Sequence, residues 1–341
     1  MYFRKNMDKT NPDEWLENLP IQAENIAFKP EEMIRCAKCE RTNPPNRLTC
    51  FYCGNEQVIP EEQKQFLKPK LRKLEAWEKG CNVIFLPGLQ PPNEETTAAS
   101  AKLLMLEKET LRKLIDANRP LPIARAESAG EAEIVKTRLG ELGIETRILT
   151  DEKLAVDKPP SRLRGIEFFD DKLILILFNR DEIIEMSPDD LALIVTGAVF
   201  ERKIEATEKY SKKGDNKILD TTETSSDESL IDIYSRTDSR GFRIYAKGFD
   251  FSSLDAEKQM LAKDNIKKLA EKLRRVAPEV KCVNDYLSSR TFLAGVWETD
   301  QKNDSQGLKR ESFGKFNLGS VTTVNNLSQF TKYSRLQWHL L

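Results

Sequence analysis

The chain has 341 residues, with 54 Lys and Arg against 55 Asp and Glu, 39% hydrophobic and 32% charged residues, and a formal net charge of −1. This balance suits a soluble chain of two or three cores and supplies no global attraction to nucleic acid or to an anionic membrane, so either partner would need a local patch. A single histidine, His339, leaves imidazole triads and His-rich metal sites without material, and the longest apolar run, Leu173 to Phe178, falls far short of the ~18 residues of a spanning helix.

Residues 1–30 carry Pro12, Pro20, Pro30 and Trp15 among scattered charges and read as an N-terminal arm that is at most partly ordered. Residues 31–58 hold the strongest chemical signal: Cys36-Ala37-Lys38-Cys39 and Cys50-Phe51-Tyr52-Cys53-Gly54, two Cys-x-x-Cys pairs separated by ten residues. Each pair offers two sulfurs to one ion. Asn43-Pro44-Pro45-Asn46 can reverse the chain between the pairs, and Gly54 supplies the left-handed residue that a knuckle requires. A chain rich in Lys and Glu with no secretory leader is expected in a reducing cytoplasm, where four clustered thiols read as ligands of one structural zinc ion rather than as disulfides. Four protein ligands leave no open position at which water could be activated.

The stretch from Arg35 through Pro45, with Thr49-Cys50-Phe51-Tyr52-Cys53-Gly54, resembles the short prokaryotic four-cysteine zinc ribbon. Its Cys and Asn43 spacing is also similar to the Ran-binding-protein-type zinc finger, some members of which bind single-stranded RNA and others ubiquitin. Ile34 stands where that finger usually has Trp, and Glu40-Arg41 replaces the Thr-Phe pair of ubiquitin readers. Two readings of the flanking residues follow. In one, Phe51 and Tyr52 stack on a base while Arg35, Arg41 and Arg47 reach phosphate or base edges; in the other, the rings cover the metal site and the arginines are solvated.

Residues 59–118 comprise a linker with the basic run Lys68 to Lys73, a short strand at Asn82 to Leu86, and an amphipathic helix over Thr96 to Ala117 that aligns Leu103, Leu104, Leu111, Leu114 and Ile115. In residues 119–156, a strand at Leu121 to Ala126, a Ser128/Glu131 capping box, a stripe of Ala132, Val135, Leu139 and Leu142 ended by Gly143, and a strand at Ile144 to Leu149 predict a βαβ unit. From Ile123 to Glu145 the pattern resembles the small ferredoxin-like family of prokaryotic signal-transducing domains, which implies binding or sensing.

Residues 160–298 read as an antiparallel β domain. Strands are expected at Leu163 to Phe169, Lys172 to Phe178 and Glu182 to Met186, with one or two more over Leu191 to Ala206 bent at Gly197. A polar, mobile excursion is expected over Lys209 to Glu228, then a hairpin of Ser229 to Tyr234 with Phe242 to Ala246, then a helix capped by Asp255 with stripe Ala262, Ile266, Leu269, Leu273 and Val276. Strands followed by one helix resemble a pleckstrin-homology-type barrel closed by its C-terminal helix. Leu175, Ile176 and Leu193 are expected in the core, as are the unpaired Cys81 and Cys282. In the tail, residues 299–341, Thr299 to Gly307 is linker-like, while Phe313, Phe316, Phe330, Tyr333 and Trp338 are too many rings to leave in water and are expected to dock, by preference on the chain itself.

The expected class is therefore α+β and multidomain. The expected function is that of a non-enzymatic, cytoplasmic zinc-binding adaptor or scaffold with a protein partner, no membrane span and no evident small-molecule substrate. The alternatives are a single-stranded RNA-binding zinc-finger protein and a subunit of a larger assembly docked through its C-terminal tail.

Overall fold

The computed structural model describes residues 28–341 except 68, 70, 76, 180–181, 210–216 and 313–314. The N-terminal arm up to residue 27, part of the basic run and Phe313 thus lie outside the described residues. The chain is mixed α/β and divides into two compact units, residues 1–68 and 69–341.

In the first unit, β1 (Ile34–Arg35) and β2 (Thr42–Asn43) pair antiparallel, Ile34 with Asn43 and Arg35 with Thr42. A 3-10 turn at Glu61–Phe66 follows, and Phe66 meets Phe28 edge to face.

The second unit begins with a three-stranded sheet. Its centre is β3 (Cys81–Phe85), every residue of which is buried. On either side lie β4 (Leu121–Ala126) and β5 (Thr146–Thr150), both antiparallel to β3. The expected βαβ unit is therefore split: the short strand read as part of a linker inserts between the two strands that α3 (Ala129–Glu141) connects. Ser128 Oγ accepts the Glu131 N–H at 3.2 Å as its spacing predicts, but the Glu131 carboxylate turns to the Glu127 N–H instead of closing the reciprocal box.

The single helix expected over Thr96 to Ala117 is two helices, α1 (Glu94–Leu104) and α2 (Lys108–Asp116), separated at Met105, which is left-handed with φ 56°. The Leu106 N–H returns to the Ala101 carbonyl and closes α1. The break re-aims the chain so that Leu104 and Leu111 are both buried. A four-residue helix, α4 (Asp151–Leu154), follows β5.

The remaining strands build a nine-stranded sheet curled into a half-barrel: β6 (Ser161–Phe168), β7 (Leu173–Leu177), β8 (Ile183–Met186), β9 (Leu191–Lys209), β10 (Lys217–Ser235), β11 (Phe242–Tyr245), β12 (Lys281–Val283), β13 (Asp300–Ser312) and β14 (Lys315–Asn325). Their order is β13-β14-β9-β10-β11-β6-β7-β8, with β12 beside the first part of β9. The sheet is not purely antiparallel, because β11 runs parallel to β6 and β12 parallel to β9.

The curl wraps α5 (Ala262–Val276), whose Ile266, Leu269 and Leu273 pack with Leu163, Leu175, Ile194, Ile231 and Ile233. Asp255 does not cap α5. It belongs to a preceding 3-10 segment with φ 48°, and the buried Asn265 instead accepts from Gln259 N at 2.6 Å and donates to its carbonyl at 2.9 Å. Leu175 and Leu193 are fully buried as expected, whereas Ile176 is only half-buried, since strand alternation turns it to the opposite face of β7. Cys81 is buried, but Cys282 on β12 is exposed.

Two expected loops are strands. Residues 217–228 continue β10 against β9, and residues 300–307 form β13 against β14. Both are polar enough to read as loops, yet their Thr, Ser and Asn side chains suit a solvated ladder once a partner strand is beside them. Gly197 marks no bulge: β9 pairs straight through it, and a Cβ there would meet Phe330 Cε2 at 2.4 Å.

Three of the five tail rings, Phe330, Tyr333 and Trp338, pack on the chain itself. After β14, α7 (Leu327–His339) buries Phe330, Tyr333 and Leu336 with Tyr286 of α6 (Tyr286–Leu293), Trp297, Val83 and Val195. One continuous core thus joins the three-stranded sheet to the outer face of β9 and β10. Phe330 and Tyr333 are thus buried in the chain's own core, with Trp338 packed against it.

Candidate metal centre

Cys36 follows β1, Cys39 ends the first turn, and the chain returns through β2 and Pro44-Pro45 to Cys50 and Cys53. The two turns repeat one backbone device. Glu40 N–H donates to the Cys36 carbonyl at 2.9 Å and Gly54 N–H to the Cys50 carbonyl at 2.9 Å, with Glu40 and Gly54 both left-handed at φ 58° and 69°. Glycine satisfies that backbone without strain at the second turn, while the first tolerates Glu40.

The four Sγ atoms lie within 4.8 Å of one another, with Cys36–Cys53 at 3.6 Å and Cys39–Cys50 at 3.5 Å. Disulfide sulfurs would be ~2.05 Å apart. A tetrahedron with metal–sulfur bonds of ~2.3 Å has edges of about 3.8 Å, so the cluster has the size of a four-thiolate site. The donor set can therefore hold one metal ion.

Asn43 ties the two turns together, a role that its reading as a turn residue missed. Fully buried, it donates to Cys50 Sγ at 3.4 Å and to the Arg41 carbonyl at 2.9 Å, and accepts from Phe51 N–H at 2.8 Å. The signal available in sequence was a buried-type turn amide between two cysteine pairs. Such supporting groups orient ligands and tune their basicity.

The electrostatics follow from these donors. The Cys39 and Lys38 backbone N–H groups hold Cys36 below the usual thiol range. Burial pushes Cys50 up, but the N–H groups of Cys53 and Tyr52 outweigh it and bring Cys50 down to about 6. At Cys39 the Arg41 N–H lowers the pKa, yet burial and the three neighbouring sulfurs drive it up to about 12. Crowded thiols cannot all ionise alone, and a dication at their centre reverses that balance.

Of the five residues expected to reach RNA, four form two pairs: the Arg41 guanidinium lies 4.8 Å from the Tyr52 ring centroid and that of Arg47 5.0 Å from Phe51. The two rings stand edge to face at 5.5 Å. They do not cover the metal site, since Phe51 is 67% and Tyr52 53% exposed. Arg35 is held apart by an exposed ion pair with Glu40 at 2.9 Å.

No described helix is long and apolar enough to cross a membrane. Compared with known proteins, the chain matches no protein family, no curated protein and no solved structure.

Proposed function

We propose that this chain is a non-enzymatic zinc-binding adaptor, in which a structural zinc ion on Cys36, Cys39, Cys50 and Cys53 orders a zinc-ribbon module and the outer face of that module recognises a partner protein. The observation that carries the reading is the exposure of two adjacent rings, Phe51 and Tyr52, on a turn held rigid from behind by four sulfurs and Asn43. Exposed aromatics on a fixed backbone lose little entropy on binding, which makes them efficient anchors. Residues 69–341 serve as the scaffold. The test is affinity capture from cytosol with the full chain and with Phe51→Ala/Tyr52→Ala at equal zinc content. Partners lost with the rings support the reading, and an unchanged set of partners overturns it.

The stacked Arg41–Tyr52 and Arg47–Phe51 pairs favour a second reading, a single-stranded RNA surface. Binding of a labelled RNA oligonucleotide that weakens steeply with salt, and that Arg41→Ala/Arg47→Ala abolishes, would replace the adaptor reading with this one.

A further inference from the structure

The far halves of β9 and β10 combine with β13 and β14 into a four-stranded antiparallel sheet in which, among the described residues, Thr221–Ser226 of β10 and Asp300–Ser305 of β13 have a strand partner on one side only. Residues 221–227 of β10 and 301–308 of β13 are all exposed. β10 pairs with β11 over Leu230–Ile233 and the Ser229 carbonyl accepts the Ala246 N–H at 2.9 Å, so among the described residues its outer edge has no strand partner before Glu228. Neither strand contains proline, and the paired stretch Thr221–Ser226 is free of bulges, as is Asp300–Ser305. Proteins usually blunt edges of this length with proline, bulges, short strands or lysines, and of these the two stretches hold a single lysine, Lys302. Here the bulges begin only outside the stretch, between Ile218 and Asp220 and between Ser305 and Gly307.

We propose that a second copy of this chain completes the sheet, with β13 of one copy pairing along β10 of the next. Direction permits it. β9 is antiparallel to both β10 and β14, and β14 is antiparallel to β13, so β10 and an incoming β13 run antiparallel.

The residues that share a row across the existing sheet set the expected register. Glu205 pairs with Thr222 on one side and Val321 on the other, and Val321 pairs with Asp304. Joining copies without stagger then places Thr221 opposite Ser305 of the next copy, Thr222 opposite Asp304, Glu223 opposite Asn303, Thr224 opposite Lys302, Ser225 opposite Gln301 and Ser226 opposite Asp300. Each charge faces a hydroxyl or an amide, and no two like charges meet directly, the arrangement that cross-strand pairing tolerates. A one-residue slip would exchange the two faces of the sheet along the whole edge. The contact is head-to-tail, because β10 and β13 are different strands, so repetition yields a ring or an open fibre rather than a symmetric dimer.

The test uses the full chain with Cys282→Ser, which removes an exposed thiol on β12. Thr222→Cys and Asp304→Cys are combined in one chain and oxidised. Within a copy these positions lie three strands apart, about 14 Å, too far for a disulfide. The expected result is a ladder of covalent oligomers in which peptide mapping finds the 222–304 linkage, while either cysteine alone gives no dimer. A second measurement needs no cysteine. In sedimentation experiments, Thr224→Lys, which faces Lys302 of the next copy, should weaken association by up to about 5-fold, and adding Lys302→Glu should restore it. A chain that sediments as a monomer throughout, a 222–222 linkage from the single variant, or Thr224→Lys without effect would each overturn the proposal.

Discussion

Arg243 and Asp232 meet as a doubly hydrogen-bonded pair, Nε to Oδ1 and Nη2 to Oδ2 both at 2.7 Å, with neither side chain reaching solvent. The pair joins β11 to β10, and Arg243 also donates to Thr331 Oγ1 at 3.0 Å on α7 and lies 5.2 Å from the Phe330 ring centroid. One guanidinium thus fastens the half-barrel to the terminal helix. Removing half of a buried pair leaves an uncompensated charge, so Arg243→Met should lower stability by about 3–5 kcal/mol in chemical denaturation. Arg243→Met with Asp232→Leu should recover most of that loss; a double variant no better than the single would show that the cost is packing and not charge.

Gly197 and Phe330 make a second prediction about α7. A Cβ at residue 197 would stand 2.4 and 2.8 Å from two Phe330 ring carbons and 3.0 Å from Tyr286 Cδ1. Both side chains sit in packed core, so Gly197→Ala should cost about 1–3 kcal/mol. Gly197→Ala with Phe330→Leu should be milder than the sum of the two. Additive thermal shifts would disprove the contact.

The metal centre predicts a local loss. Apparent binding energies of ~10–16 kcal/mol at four-thiolate sites exceed what a module of this size can offer by packing. Cys50→Ser, or a strong chelator, should therefore abolish amide protection over residues 34–57 and leave that of β3 and β9 intact. Metal analysis should find one zinc per chain. Protected amides in the stripped protein would refute the structural role.

His339, the only histidine, supplies a clean pH probe. Burial holds its pKa below the usual 6.5, and Lys153, Arg147 and Arg335 oppose a further positive charge there. Its Nε2 lies 3.1 Å from the Lys153 carbonyl, a contact the ring makes by donating. The folded value is depressed, so the stabilising contribution is complete above about 6.5 and is lost as pH falls through the folded value. The ring resonances should titrate below 6.5 in the folded protein and near 6.5 in the chain unfolded by urea. A folded value at or above 6.5 contradicts the burial of this end of α7.

The features written locally in the chain are those whose partners lie a few residues away. Two Cys-x-x-Cys pairs, a turn rich in Asn and Pro, Ser128 as a helix cap and Gly143 after α3 each act through bonds spanning a few residues, and their spacing alone specifies them. The stripe on α5 and the alternation of β7 belong here too, because one buried face imposes its period on the sequence. Tertiary structure decided the rest. The backbone groups that residues 220–228 and 300–307 turn toward β9 and β14 are satisfied across long hairpins, beyond the reach of local patterning, so polar side chains that signal a loop in isolation form ladders instead. Insertion of β3 between β4 and β5, and the parallel neighbours of β6 and β9, likewise depend on contacts that no periodicity encodes. Gly197 and the pair of Arg243 with Asp232 are the sharpest cases: a glycine and two charges carry no local mark of the aromatic ring and the buried counter-ion that require them, and only the docking of α7 brings those partners into contact.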